Sequence, residues 1–312
     1  MNDVMPEGEA IRLFAVPITD ELTREAVAVL GRFRELAASA LSVEDPEEFE
    51  QNTNSLFRKE VAEIDQLGEP LAAERHKLHD MLIDTADLTT DNALDHVRAL
   101  EHDLVMQPPP VWSPLTLSRV VMEGVLFSEY LLDSTIPLNR RLARLAGIWR
   151  TDATYALKQA EAYGQEPAEA GQMLAYVEDC LQKCQAVERH DRRGKINGYS
   201  FGSESAALDL NITERATAVM PNWLPAPYRL TSGVSHNRPW MIGRARDLAG
   251  GNGLAGEAAT VMAAVMVALG SIEVTVNAFG KYFGVDVSEE QQHMEDERTA
   301  FLYRAIGIAH AQ

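Results

Sequence analysis

Apolar residues recur at three- and four-residue intervals along almost the whole chain, the spacing that places them on one face of a helix. After Pro17, Thr19 or Asp20 caps a first predicted helix whose stripe is Leu22, Ala26, Leu30, Phe33 and Ala37. Asp45-Pro46, a cap followed by a first-turn proline, opens a second with Phe49, Leu56, Val61 and Ile64. Pro70 opens a third through Leu71, Leu78, Met81 and Leu82, and Thr90 or Asp91 caps a fourth through Leu94, Val97, Leu100 and Leu104. The run Gln107-Pro-Pro-Pro-Val reads as a stiff linker between an N-terminal helical region, 1–107, and a second region, 111–312.

Beyond it, Ser113-Pro114 begins a helix to about Leu132, Pro137 another through Leu142, Leu145, Ile148 and Trp149, and Glu166-Pro167 another ending near Arg193-Gly194. Residues 190–203 read as a basic, Gly-rich loop, Ser203 or Glu204 as the cap of a short helix to about Met220, and PNWLPAP (221–227) as a turn. Helices at about 257–282 and 289–310 finish the pattern, the last with Ser288 and Gln291 as a capping box. No stretch alternates as a strand does, so the fold class is an all-α multi-helix bundle. The uncharged run Ala258–Ile272 is shorter than the roughly 20 residues a membrane span needs, and Glu273 interrupts it, so it reads as a buried bundle helix and no membrane is expected.

Charge sharpens the picture. The 312 residues carry a net charge of −19, which argues against a nonspecific nucleic-acid coat and against adhesion to anionic membranes. It is uneven: residues 1–110 hold 9 Lys/Arg against 24 Asp/Glu, residues 251–312 hold 3 against 8, and residues 111–250 hold 16 against 15. An anion therefore belongs in the middle third, and the acidic N-terminal helices are a candidate partner surface. The two cysteines, Cys180 and Cys184, lie four apart on a predicted helix, where a disulfide would strain the backbone. Free thiols and the lack of a signal-like N-terminus fit a cytoplasmic protein.

The chemistry concentrates in Pro225–Trp240, PAPYRLTSGVSHNRPW. Arg229 and His236, seven residues apart, fall on one side of a helix two turns apart. A guanidinium offers a planar fork of donors to an oxyanion, and an imidazole titrates near neutrality as general acid–base work requires. Tyr228, Ser232 and Arg238 are the nearby substrate-binding candidates, and Arg192 and Arg193 of the basic loop reach over the site as a lid. Metal is not expected: His76 and His79 with Asp80 have no third strong ligand nearby, and Glu290 with His293 is one ExxH where carboxylate-bridged bundles use two. There is no P-loop and no Gly-x-Ser-x-Gly elbow, so no cofactor is expected either.

Arg229-x6-His236 resembles the R-x4–6-H signature of the HEPN superfamily of helical bundles, which includes metal-independent RNases. Tyr228-Arg-Leu-Thr-Ser232…His236, with upstream Trp112-Ser-Pro, Arg119, Glu123, Asp133, Arg140 and Arg144, is similar to a group of actinobacterial helical proteins. The resemblance covers about residues 110–310. It implies a bundle that forms a homodimer, with Arg229 holding a phosphate and His236 acting as acid or base while a ribose 2′-OH attacks. RNA is then the partner. Two other readings stand beside it: a lyase- or transferase-type tailoring enzyme of specialised metabolism handling a small phosphate or sulfate ester, and a noncatalytic binding or assembly protein.

Overall fold

The computed structural model describes residues 19–41, 54–107, 110, 112–164, 168–224, 226–236 and 256–310. Among them are ten helices and one small sheet: α1 (Asp20–Leu41), α2 (Leu56–Asp65), α3 (Leu71–Leu104), α4 (Ser113–Leu132), α5 (Leu138–Ala162), α6 (Ala168–Lys183), β1 (Val187–His190), β2 (Ile196–Phe201), β3 (Glu204–Ala207), α7 (Ile212–Val219), α8 (Pro227–Ser235), α9 (Gly256–Phe283) and α10 (Ser288–His310). The chain is a multi-helix bundle, as the apolar periodicity predicts.

The helix α9 is its axis. One segment, Thr260–Phe283, is long and apolar enough to cross a membrane, yet most of it is buried inside the fold. It packs on α4 and α1, while α4 also lies along α3. One core joins Leu30 and Phe33 of α1, Val97 and Leu100 of α3, Val121 and Leu126 of α4, Val265 and Leu269 of α9, and Phe301 of α10. A second joins Ile64, Leu82, Leu142, Tyr199, Phe201 and Tyr282, so α3 and α9 run through both. Residues on both sides of the proline run share these cores. The link across it is tied as well, because the Ser113 hydroxyl donates to Asp103 Oδ2 at 2.6 Å. Gly124 allows α4 to close on α3: a Cβ there would stand 2.8 Å from the Thr89 carbonyl oxygen.

Several expected boundaries move. Thr19 does cap α1, its hydroxyl accepting from the Leu22 amide. The expected third and fourth helices are one continuous α3. Thr90 does not cap a helix; it is buried and bonds the Ala86 carbonyl one turn back and the Ser128 hydroxyl on α4. Ser55 caps α2; the expected start at Asp45-Pro46 and Phe49 lie outside the described residues. At α10, the Ser288 amide is taken by Asp286, and Gln291 reaches Asn277 instead of closing a capping box. On α3, Asp80, Asp84, Asp87, Asp91 and Asp95 fall at helical spacing on the exposed side, which is where much of the N-terminal acidity is solvated.

The basic loop is the largest correction. Helix α6 ends at Lys183, and residues 187–207 form an antiparallel meander of order β1-β2-β3, with Val187 opposite Ser200 and Gly198 opposite Ala207. Ser203 and Glu204 lie at the β2–β3 turn, where Gly202 takes φ +58, rather than at a helix start; the following helix is α7, capped by Asn211. Tyr199 and Phe201 turn inward, and the sheet lies on α5. Gly147 of α5 permits that contact, since a Cβ there would come within 2.6 Å of the Ala207 carbonyl oxygen.

Candidate functional site

Arg229 lies on α8, a nine-residue helix opened by Pro227 in its first turn, His236 is the C-cap residue just past its end, and both are exposed. An ideal helix would set positions seven apart about 20° from the same direction, and half-buried Ser232 lies between the two in sequence. No ion pair or hydrogen bond of either side chain occurs among the described residues. The opposite face is anchored: Val234 packs with Leu115 and Ala264, and buried Thr231 bonds the Pro227 carbonyl at 3.1 Å. His236 closes the helix, its backbone amide donating to Ser232.

Tyr228 is half-buried and held by Arg119. Arg119 of α4 donates to its hydroxyl at 3.3 Å, lies 5.1 Å from its ring centroid, and pairs through Nε with Glu123 at 2.7 Å. The turn leading into α8 is fixed by Trp223, which sits under Arg298 at 4.5 Å and against Gly270, where a Cβ would lie 3.1 Å from the indole. Ala226 enters the helix at φ +48. Arg238 lies outside the described residues. Arg192 and Arg193 occupy the exposed β1–β2 turn of the sheet on α5, whereas α8 packs on α4, so the basic segment and the Arg/His pair stand on different elements.

Two buried polar assemblies escaped the sequence reading. In the first, Glu60 of α2, His79 of α3, Arg141 of α5 and Tyr282 of α9 converge, all nearly or wholly buried. Tyr282 donates to Glu60 at 2.6 Å, His79 Nε2 lies 2.9 Å from the same phenol, and Arg141 bonds both the Glu60 carboxylate and the Asp133 carbonyl. Burial raises the Glu60 carboxyl, but the His79 hydrogen bond and the Arg141 charge outweigh it and hold the group below its ordinary range. Burial and Glu60 together push the Tyr282 phenol up.

In the second, Asp133 accepts from Thr135 (2.6 Å), Arg144 (3.2 Å) and Arg215 (2.9 Å), and Arg215 also clasps Glu129. Burial opposes ionisation of Asp133, yet the Thr135 hydrogen bonds and both guanidinium groups bring it down to about 2. This assembly ties α7, and through it the turn before α8, to the end of α4. Nothing local in the sequence marks either assembly, because each draws on residues from three or four elements. Among the described residues no group of three metal-ligating side chains gathers. Cys184 is buried and its thiol is pushed up to about 11, first by burial, which leaves it a packing group.

The Asp133 linkage has a definite sign. A depressed carboxyl contributes stability above its unfolded value of about 4, and that contribution disappears as pH falls through the folded value. The stability gap between wild type and Asp133→Asn is therefore expected to be full at pH 6 and to close between about pH 4 and 2. Urea denaturation across that range reads it; a gap unchanged down to pH 2 would remove the ionised Asp133 from the account.

Comparison with family models, with curated proteins and with solved structures finds no match for the chain.

Proposed function

We propose that the protein binds RNA phosphates through Arg229 and His236 on the open face of α8. The observation that supports this reading is the pair itself: Arg229 exposed on α8 and His236 exposed at its C-cap, while other residues of the helix do its packing. Local charge supports it. Residues 225–250 contain four arginines against one aspartate, in a chain of net charge −19. In the HEPN-like version of the reading, the ribose 2′-oxygen attacks phosphorus, the bond to the 5′-oxygen breaks, and His236 takes or returns the proton while Arg229 holds the phosphate oxygens.

An open face favours a polymer over a small ester. Small substrates occupy concave sites that surround them. The cavities of about 340 and 250 Å³ lined by Asp20, Thr23, Arg24, Val105 and Gln107 and by Glu21, Glu25, Arg304, Gly307 and Ile308 include no residue of α8. Polyanion backbones, by contrast, are gripped on exposed cationic surfaces.

Labelled single-stranded RNA tests the reading. Binding is expected at low salt, and Arg229→Ala should weaken it about tenfold or more, the worth of a charge-assisted phosphate contact. His236→Gln should retain binding and abolish any cleavage, which separates a nuclease from a noncatalytic binder. Wild type that neither binds nor cleaves RNA at low salt would remove the proposal.

A further inference from the structure

We propose that the β1–β2 hairpin is a second docking arm for the same polyanion, gripping nucleic-acid phosphates through Arg192, Arg193 and Lys195 at its tip; the inference rests on the reading of α8 as an RNA site. The arm is exposed throughout, from Val187 to Lys195. It contains five cationic or imidazole side chains and two carboxylates. Both carboxylates are engaged. Asp191 accepts the backbone amides of Arg193 and Lys195 at 2.8 and 2.9 Å, and Glu188 lies 3.4 Å from His190. Arg189 lies back across the sheet onto Ser205. The side chains of Arg192, Arg193 and Lys195 have no ion-pair or hydrogen-bond partner among the described residues, so the positive charge gathers at the tip.

The arm is also rigid. The Asp191 carboxylate and Gly194 at φ +76 set its turn, and its root is clamped by buried Tyr199 and Phe201, the second under Arg75 at 4.4 Å. A preorganised turn of this kind presents its donors with little ordering cost. Its root is seated on α5: Gly202 lies beside Asn139, and Gly147 meets Ala207, the strand partner of Gly198. On the same helix α5, Tyr155 is 65% exposed, with the Lys158 ammonium 5.4 Å from its ring centroid. Free cations on the arm and an exposed aromatic ring on the helix that carries the sheet supply what a single strand needs: backbone neutralisation and a face on which a base stacks.

The experiment uses the full chain, a labelled 20-nucleotide single-stranded RNA and a poly-glutamate peptide as rival ligand. Arg192→Glu/Arg193→Glu is compared with Arg229→Ala over a range of salt. The arm variant is expected to weaken RNA binding about tenfold or more and to reduce the slope of log Kd against log salt by about 1.5, the loss of two phosphate contacts. On wild type, ultraviolet cross-linking should map RNA to residues 187–195 as well as to 226–236, a readout independent of how any variant folds. If the arm variant binds RNA like wild type while Arg229→Ala is weakened, the arm is overturned and the α8 reading stands. Cross-links at the arm with Arg229→Ala unaffected would support the arm and sink the α8 reading. Loss of poly-glutamate binding with RNA binding intact would overturn the arm as a nucleic-acid contact and assign it to an acidic protein.

Discussion

Arg141→Ala is expected to lower the stability of the fold by about 3–5 kcal/mol, the cost of stranding a buried charge. The guanidinium is completely buried and holds the Glu60 carboxylate and the Asp133 carbonyl at once. Without it, Glu60 remains 2% exposed with only His79 and Tyr282 as donors, and an anion in that position has lost its counter-charge. The loss is large against the 5–15 kcal/mol that usually separates a folded domain from its unfolded chain. Removing both charges is a different experiment. Glu60→Leu with Arg141→Met leaves no uncompensated ion and restores apolar volume, so it should recover much of the stability. Urea denaturation followed by circular dichroism gives the order: wild type and the double variant close together, Arg141→Ala well below. Arg141→Ala within 1 kcal/mol of wild type would show that the assembly is not holding α2 and α5 together.

Gly198→Ala is the second large effect. A Cβ at this position would lie 2.1 Å from the Ala206 carbonyl oxygen and within 3.2 Å of Ala207 Cα, all backbone atoms of the neighbouring strand. No rotamer relieves that clash, so β2 and β3 must part, at a cost of about 3 kcal/mol. Since the sheet rests on α5 through these strands, Tyr199 and Phe201 lose their seat, and amide exchange should accelerate across 196–207 before it does in the helices. Gly31 is the control. It sits within α1 with no atom within 4 Å of where a Cβ would stand, so Gly31→Ala should raise stability by up to about 1 kcal/mol. Equal destabilisation by the two substitutions would contradict the strand contact.

What the sequence made legible follows from how local each signal is. Helices such as α1, α4 and α9 carry an apolar pattern over five or more turns, and their existence follows from it. The break expected at Thr90 failed because a Thr-Asp pair inside a helix looks like a cap until Ser128 of α4 is seen to take the hydroxyl. The sheet was missed because β1 is exposed on every residue and β2 is buried at Gly198, Tyr199 and Phe201, so neither alternates. At the candidate site, Arg229 is exposed on α8 and His236 is exposed as the cap one residue past its end. The underpinning by Arg119 and the Glu60–His79–Arg141–Tyr282 assembly was not legible, since those partners are separated by up to 222 residues of chain.

The position of α9 in chain order sets the sequence of events during synthesis. The helices that flank it, α1, α2 and α4, leave the ribosome long before residues 260–283 exist. Until then their apolar faces have no central rod to close on, and only contacts such as α3 against α4 can form. The nascent chain thus carries uncovered hydrophobic surface until residues 260–283 emerge, and the cooperative closure of the bundle waits for them.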